Sequence, residues 1–400
     1  MTVSGAGCRR FPMLEEVRSL QAAGISGSGV MAILLVLLVS GCAPSAETDT
    51  PEQWRVVEEL RIGSEEDGPE GFGWIAGLVW QRDGSIAVLD APAREIRFFD
   101  AEGEHLRSVS RRGAGPGELG GPTGMVAGPD GMLWVNDPSN SRISVFAPSG
   151  EFLRQHVVVS GGWNGNWGGY FDAEGRLVDD GVFSTDPADS RVRLRRFDAG
   201  MARVDTVVAP SCNHAPIPQS EYVIRLPRGS MAIPYFPFWF ERYDQRGSVW
   251  CAKPNEYRLT RLRIPDGDTL LVLERRGVTP AALTPEEREA AVEEVRTVMQ
   301  RSGEAPFDFN RIPRTKPLLE QVSVDDANRI WVRIATTGPG TTWDVFSADG
   351  RYLAQATAPF TVTGGTHHPI VRGERMVVIS EKPGEVARIV RARIGREARP

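Results

Sequence analysis

The sequence lacks most of the residue patterns on which hydrolases and nucleic-acid-binding proteins depend. Its 400 residues include only four cysteines and five histidines, and the formal net charge of −6 is spread without a cluster of basic residues. Without a basic patch, nothing favours a nucleic acid or an anionic lipid surface as a partner. No Gly-x-Ser-x-Gly, His-Glu-x-x-His or cysteine-nucleophile motif occurs either. The motifs of these enzyme classes therefore give no indication of function, and the overall organisation of the chain is more informative.

Long apolar runs are also missing. The apolar run at residues 30–39 stops directly before Ser40-Gly41-Cys42. It is too short to span a bilayer, which needs about 20 apolar residues, but its length suits a secretory signal peptide. Acidic residues upstream of the run are unusual for such a peptide, so a later translation start, at Met13 or near Met31, is an alternative. In either case the sequence predicts export.

The end of this run, Val39-Ser40-Gly41-Cys42, resembles the lipobox of bacterial lipoproteins. The resemblance implies that residues 1–41 are a signal peptide, that Cys42 carries the lipid, and that residues 42–52 form a tether. Residue Ala43 after the cysteine implies the outer membrane, with the protein facing the periplasm or the cell surface. The membrane would then be contacted through the lipid anchor only.

Two cysteines remain in the exported part of the chain, Cys212 and Cys251. An even pair in an oxidising compartment predicts a disulfide bond. Two buried, unpaired thiols are the alternative, and both stay open because a sequence contains no distances.

An internal repeat predicts the fold. The segment 83–90 is matched 47 residues later by 130–137, and the same offset carries 96–100 onto 143–147. Each unit contains an Asp-Gly-type turn followed by alternating strands, which predicts a four-stranded antiparallel blade. Weaker copies continue to the C-terminus. The sequence therefore predicts an all-β protein, a six-bladed β-propeller over residues 53–397.

Two segments fall outside the repeat. Residues 54–62 form a lone strand, which is expected to close the last blade because a propeller must cover its open edge. Thr284, Pro285 and Glu287 supply an N-cap, a first helical proline and an acid at the third position, which predicts an inserted helix over about 285–301. This helix either covers a blade edge or face, or acts as a mobile lid.

The Gly-rich segment 111–119, followed by 122–125 and by 137–146, resembles the NHL-repeat group. The resemblance implies a six-bladed propeller related to bacterial lipoproteins that mostly have no assigned function, and only the first two blades match well. Residues 115–120 also satisfy G-x-G-x-x-G, but no helix follows, so a dinucleotide site is not expected. No cofactor is predicted.

The segments that enter each inner strand are expected to meet on one loop-rich face around the axis. They are rich in aromatic and cationic residues, which suit stacking on a ring or sugar and hydrogen bonding to an anionic group. The predicted ligand-binding residues are Trp74, Trp163, Trp167, Tyr235, Phe236, Arg314, Lys316, His367 and His368.

The preferred hypothesis is a monomeric, non-catalytic binding module for a small molecule, glycan or protein. The alternative is a metal-dependent lactonase, lyase or other hydrolase with an axial site, since the chain also resembles metal-holding propellers in outline. Such sites need several carboxylate, amide or histidine ligands, and adjacent His367 and His368 would point to opposite faces of a strand. No metal site and no catalytic residue are therefore predicted. A third possibility is a role in assembling partner proteins.

Overall fold

The structure is a computed structural model that describes residues 51–66, 68–158, 167–183, 192–210, 212, 219–237, 240–253, 255–303, 305–363, 367–381 and 385–396. The predicted signal peptide, Cys42 and Trp163 lie outside these residues. Across the described ranges the chain is almost entirely β-structure. None of the helices found there is both long enough and apolar enough to cross a membrane.

The strands follow one another as short meanders separated by turns. In chain order they are β1 (Glu52–Ile62), β2 (Ile75–Trp80), β3 (Ile86–Asp90), β4 (Glu95–Phe99), β5 (His105–Val109), β6 (Gly124–Ala127), β7 (Leu133–Asp137), β8 (Arg142–Phe146), β9 (Phe152–Val157), β10 (Tyr170–Phe171), β11 (Leu177–Phe183), β12 (Val192–Phe197) and β13 (Arg203–Val208). They continue with β14 (Val223–Leu226), β15 (Gly229–Ala232), β16 (Phe240–Asp244), β17 (Ser248–Lys253), β18 (Arg258–Arg263), β19 (Thr269–Glu274), β20 (Leu319–Val324), β21 (Ile330–Ile334), β22 (Thr341–Phe346), β23 (Tyr352–Ala358), β24 (Ile370–Arg372), β25 (Arg375–Ser380) and β26 (Arg388–Arg396).

Four sheets have the propeller-blade pattern of four antiparallel strands in sequence order, namely β2–β5, β6–β9, β10–β13 and β16–β19. The remaining long strands form one eight-stranded sheet in the order β20-β21-β22-β23-β1-β26-β25-β24, and β14–β15 is a separate hairpin. The described strands thus confirm an all-β, propeller-like arrangement, in which four blade-like sheets are separate and eight strands form one continuous sheet.

Strand β1 is the reason for this continuity. It pairs antiparallel with β26 along one edge and parallel with β23 along the other. An unpaired strand edge exposes backbone N–H and C=O groups, so one strand that offers both of its edges satisfies two sheets at once. The N-terminal strand therefore joins the last two meanders instead of completing only one of them.

Apolar side chains fill the space between neighbouring sheets. One cluster brings Leu89 and Phe98 of the first sheet against Leu133 and Val135 of the second. Trp134, Trp250 and Trp331 are buried, at 3%, 1% and 0% exposure, and so belong to the core. Burial of such side chains is the main stabilising contribution to the fold.

Carboxylates fix the loops of the first two sheets, through Asp90 and Asp137. Asp137 accepts hydrogen bonds from the backbone N–H groups of Gly120 and Gly121, at 3.0 and 2.8 Å. Asp90 accepts from the backbone N–H of Gly73 at 3.1 Å. Both aspartates therefore satisfy backbone amides of the loops that precede the inner strands.

The inserted helix is confirmed as α2 (Pro285–Ser302), and its N-terminus carries the predicted capping box between Thr284 and Glu287. A four-residue helix, α1 (Gln219–Tyr222), and 3-10 turns at Pro138–Asn140 and Phe309–Arg311 complete the described helical structure. The buried face of α2 packs against the β14–β15 hairpin in a cluster of its own, which contains Val292, Val295, Ile224 and Leu226. The two insertions therefore form one small subassembly.

Candidate functional site: an axial cavity

A cavity of about 620 Å³ lies among the first strands of the meanders, with lining residues from β2, β6, β10, β16, β20 and β24 and from the segments that enter them. Binding sites for small molecules typically have volumes of about 300–1,000 Å³. The cavity is therefore large enough for a compact organic ligand.

The side of the cavity formed by the first sheets is mainly small and apolar. Its lining residues are Ala76, Gly77 and Leu78 of β2, Met125 and Val126 of β6, and Gly168 and Gly169 before β10. Gly77 is required here, because a Cβ atom would lie only 2.6 Å from Cβ of Met125. Close contact between β2 and β6 thus produces a smooth apolar surface.

The side formed by the later sheets is polar. Its lining residues near the start of the inner strands are Glu241 and Arg242 of β16, Glu320 and Gln321 of β20, and His367 and His368 before β24. These strands begin at one end of the cavity, so their charged and hydrogen-bonding groups are gathered there. The cavity is amphipathic, with opposite chemistry on its two sides.

His367 is held through its backbone, whereas one ring nitrogen of each histidine has no partner among the described residues. The backbone carbonyl of His367 accepts a hydrogen bond from Nε2 of Gln321 at 2.7 Å. Among the described residues, His367 Nε2 and His368 Nδ1 are buried ring nitrogens without a hydrogen-bond partner. Each is therefore available to a group that enters the cavity.

Burial favours the neutral form of both imidazoles. It lowers the pKa of His367, against the effect of a hydrogen bond with the backbone of Ile75. It lowers the pKa of His368 well below its usual range, and the positive charges of Arg242 and Arg333 add to this effect. A neutral imidazole can accept a proton or a hydrogen bond.

The carboxylates at this end differ from each other. Burial raises the pKa of Glu241, and the Tyr243 hydroxyl, which donates to Oε2 at 3.4 Å, opposes the shift. Glu320 instead forms an ion pair with Arg333, at 2.9 Å between Oε2 and Nε. Arg333 is 6% exposed and also donates to the backbone carbonyls of Val362 and Thr363. Glu320 is thus tied to a fixed cation, whereas the charge of Glu241 is disfavoured by burial.

The structure brings three of the predicted ligand residues to this cavity: Trp167, His367 and His368. Trp167 is 5% exposed, and its Nε1 donates to Asp179 at 2.9 Å, so most of its side chain belongs to the core. Its removal would cost stability as well as change the lining.

The other described candidates do not line this cavity. Trp74 is 41% exposed and directly precedes β2. Tyr235 and Phe236 pack against the cluster that contains α2, and Arg314 is exposed. Nζ of Lys316 donates to Glu287 of the helix at 2.5 Å and to the backbone carbonyl of Thr336 at 2.9 Å. These contacts give Lys316 a structural role in holding α2 beside the entry to β20.

Sequence reasoning missed Glu241, Arg242, Glu320 and Gln321, which line the cavity from inside strands. The prediction searched the segments that enter the strands, where loops usually place binding residues. A usable signal was present, because charged residues are uncommon within the innermost strand of a packed sheet. Charge inside an inner strand would have indicated a polar cavity.

Cys212 and Cys251 form a disulfide bond, with 5.6 Å between their Cα atoms. It attaches the chain before the β14–β15 hairpin to β17.

In the described part of the chain, no group of three histidine, cysteine, aspartate or glutamate side chains is placed to hold a metal ion.

No family model matches the chain, and no curated protein matches it. Solved structures similar to it include virginiamycin B lyase from Staphylococcus aureus, at 9% identity and a TM-score of 0.40, covering 85% of this chain and 99% of that one. An exported protein from Bacteroides fragilis has 8% identity and a TM-score of 0.45 over 86% and 99%. The calcium-binding protein regucalcin from Agrobacterium tumefaciens has 11% identity and a TM-score of 0.42 over 87% and 97%. Similarity at this level transfers no property to this chain.

Proposed function

We propose that this protein is a binding protein for a small organic molecule and that the ligand occupies the axial cavity. The observation that supports this proposal best is the amphipathic lining, with Leu78 and Val126 on one side and Glu241, His367 and His368 on the other. An apolar surface with a few convergent polar groups is typical of small-molecule sites. Buried polar atoms without a partner are costly, so groups such as His368 Nδ1 are best explained by a ligand that satisfies them.

A lyase or hydrolase acting in the same cavity is the second candidate. The observation that favours it is the opposite direction of two pKa shifts: burial raises the pKa of Glu241 and lowers that of His368. Groups with shifted pKa values that face a cleft are candidates for acid and base roles. Turnover of a bound compound would establish this alternative, and recovery of the compound unchanged would support the binding protein.

We further propose that the eight-stranded sheet functions as two blades, which makes the molecule a six-bladed propeller, and that Cys42 anchors it to the cell envelope. The order of the sheet, with β1 between β23 and β26, supports the first statement. The lipobox-like segment and the Cys212–Cys251 disulfide support the second, since such bonds persist in oxidising compartments. Incorporation of labelled palmitate into the wild-type chain, and its loss in Cys42→Ser, is the expected result.

A thermal-shift screen with sugars, organic acids and aromatic compounds tests the binding function. A ligand present at 100 times its Kd stabilises a protein by about 2.7 kcal/mol. Leu78→Trp places a large side chain at the cavity and is expected to abolish the shift, whereas Leu106→Trp, at a 49% exposed position on β5, is expected to retain it. If Leu78→Trp does not fold, Val126→Trp replaces it. Equal shifts in the blocked and control variants would contradict an axial site.

A further inference from the structure

We propose that the ligand is an organic acid with an apolar body and that its carboxylate docks beside His368 and Arg242. This inference rests on the proposed function, because it names the class of molecule that the axial cavity accepts. Its two parts, the apolar body and the anionic group, come from the two sides of the lining.

The apolar part follows from β2 and β6. On this side Ala76, Leu78, Met125 and Val126 offer a ligand no side-chain hydrogen-bond donor or acceptor, and Tyr170 adds one hydroxyl. Each Å² of apolar ligand surface buried there contributes roughly 25 cal/mol to binding before the costs of association. A ring or a short hydrocarbon segment suits this surface better than a sugar does, because a sugar carries a hydroxyl on nearly every carbon.

The anionic part follows from the residues around His368. Arg242 and His368 both line the cavity, and the positive charge of Arg242 contributes to lowering the pKa of His368. The His368 Nδ1 atom, buried and without a partner in the described structure, supplies a directional contact for an oxygen atom.

Two acidic residues line this end of the cavity. Glu320 pairs with Arg333 at 2.9 Å, so these two charges largely offset each other, and burial raises the pKa of Glu241 and so disfavours its charge. Among the charged neighbours of His368, Arg242 has the largest effect in lowering its pKa. A carboxylate is therefore attracted to this end of the cavity, and an uncharged analogue is not.

Binding of a carboxylate should be coupled to proton uptake. In the free protein, burial and the charge of Arg242 lower the pKa of His368 and so favour its neutral form. A bound carboxylate partly neutralises Arg242 and offers an acceptor to a protonated ring, so the pKa of His368 rises in the complex. Affinity is then expected to increase as the pH falls from 8 towards 6, because the complex takes up a proton that the free protein does not hold.

The test uses the full chain with isotope-labelled histidine, observed by NMR, and benzoate as the probe, with benzamide as its uncharged counterpart. The His368 signal is identified by its loss in His368→Gln, and His105→Gln on β5 is the control. Benzoate is expected to shift the His368 signals, to raise the pKa of that ring, and to bind at least about tenfold more tightly than benzamide. Arg242→Gln is expected to remove this preference, so that benzoate and benzamide bind equally.

Equal binding of benzoate and benzamide, or saturation with benzoate without any change at His368, would overturn the inference. Failure of the carboxylate inference can be distinguished from failure of the proposed binding function. Uncharged compounds that stabilise the wild-type protein but not Leu78→Trp would support an axial binding site while contradicting the carboxylate. Failure of every compound in that screen would contradict the binding function itself.

Discussion

The early and the late sheets of this molecule use charged residues in opposite ways. In the second sheet, Asp137 and Arg142 are directed at their own Gly-rich loop, where Arg142 donates to the carbonyls of Ala114, Gly115 and Glu118. In the later sheets, Glu241, Arg242 and His368 line a cavity instead. These residues therefore build the scaffold in the second sheet and, in our proposal, the binding site in the later ones.

The energetic reason is the cost of burying polar groups. A buried donor or acceptor without a partner costs about 1–3 kcal/mol, and a buried charge costs more. Asp137 is buried but accepts hydrogen bonds from the backbone N–H groups of Gly120 and Gly121, which offset this cost. His368 Nδ1 has no such partner among the described residues. The difference predicts that mutations in the early sheets affect folding and that mutations in the late sheets affect binding.

The largest expected effect is that of Asp137→Ala. It removes the acceptor for Gly120 and Gly121 and takes the nearby carboxylate from Arg142, whose Nε lies 3.8 Å from Asp137. Breaking a buried charged pair costs about 3–5 kcal/mol. Urea denaturation should show this loss, and ligand affinity measured below the transition should stay unchanged. Asp130→Ala, which removes a cap from an exposed turn, is the control and should cost less than about 1 kcal/mol. A small effect of Asp137→Ala would show that early-sheet charges are not structural.

An intermediate effect is expected for Lys316→Met, which removes the hydrogen bonds from Lys316 to Glu287 of α2 and to the carbonyl of Thr336. The Lys316 side chain is 11% exposed, and hydrogen bonds to a charged group contribute about 1.5–3 kcal/mol. We expect a loss of about 2 kcal/mol in the free energy of unfolding, and little change in ligand affinity. Arg276→Met, at an ion pair whose arginine side chain is 93% exposed, should cost close to nothing.

The opposite result would restore Lys316 as a ligand-binding residue. Unchanged stability together with a tenfold or larger loss of affinity is the pattern that a direct contact with the ligand produces. It would also favour the interpretation of α2 as a mobile lid, because the ion pair to Glu287 would then not hold the helix in place.

The smallest expected effect concerns pH. The folded pKa of His368 is lowered, so as pH falls through the ordinary value of about 6.5 the unfolded chain takes up a proton that the folded one does not. The free energy of unfolding is therefore undiminished by His368 above pH 6.5 and decreases as the pH falls towards 5. His368→Gln should lose about 1 kcal/mol less stability than wild type between pH 7.5 and 5.5, since each pKa unit corresponds to about 1.4 kcal/mol. Parallel curves of Tm against pH for the two proteins would contradict the burial of a neutral ring.

The repeated blade pattern and the helix could be predicted from sequence because both depend on local signals. The 47-residue offset repeats the turn at Asp83-Gly84, where Gly84 has a φ of +92° that other residues rarely adopt. The helix begins at Thr284 through hydrogen bonds to Glu287, three residues away. Such signals act over a few residues and are readable without distances.

The joining of the last two meanders could not be predicted in the same way. Residues 52–55 pair with residues 354–357, about 300 positions further along the chain, and nothing local in β1 distinguishes one sheet edge from two. The site was only partly predictable for a related reason. Tyr235 and Phe236 have the composition of a binding surface, but the helix that covers them comes from a distant insertion.

A crystal structure with the compound that gives the largest thermal shift tests the central claim most directly. The account predicts density inside the axial cavity, with the apolar part of the compound against Leu78 and Val126 and its polar group towards Glu241, Arg242 and His368. Density at an outer strand, or on the surface formed by α2 and the β14–β15 hairpin, with the axial cavity left to solvent, would contradict it.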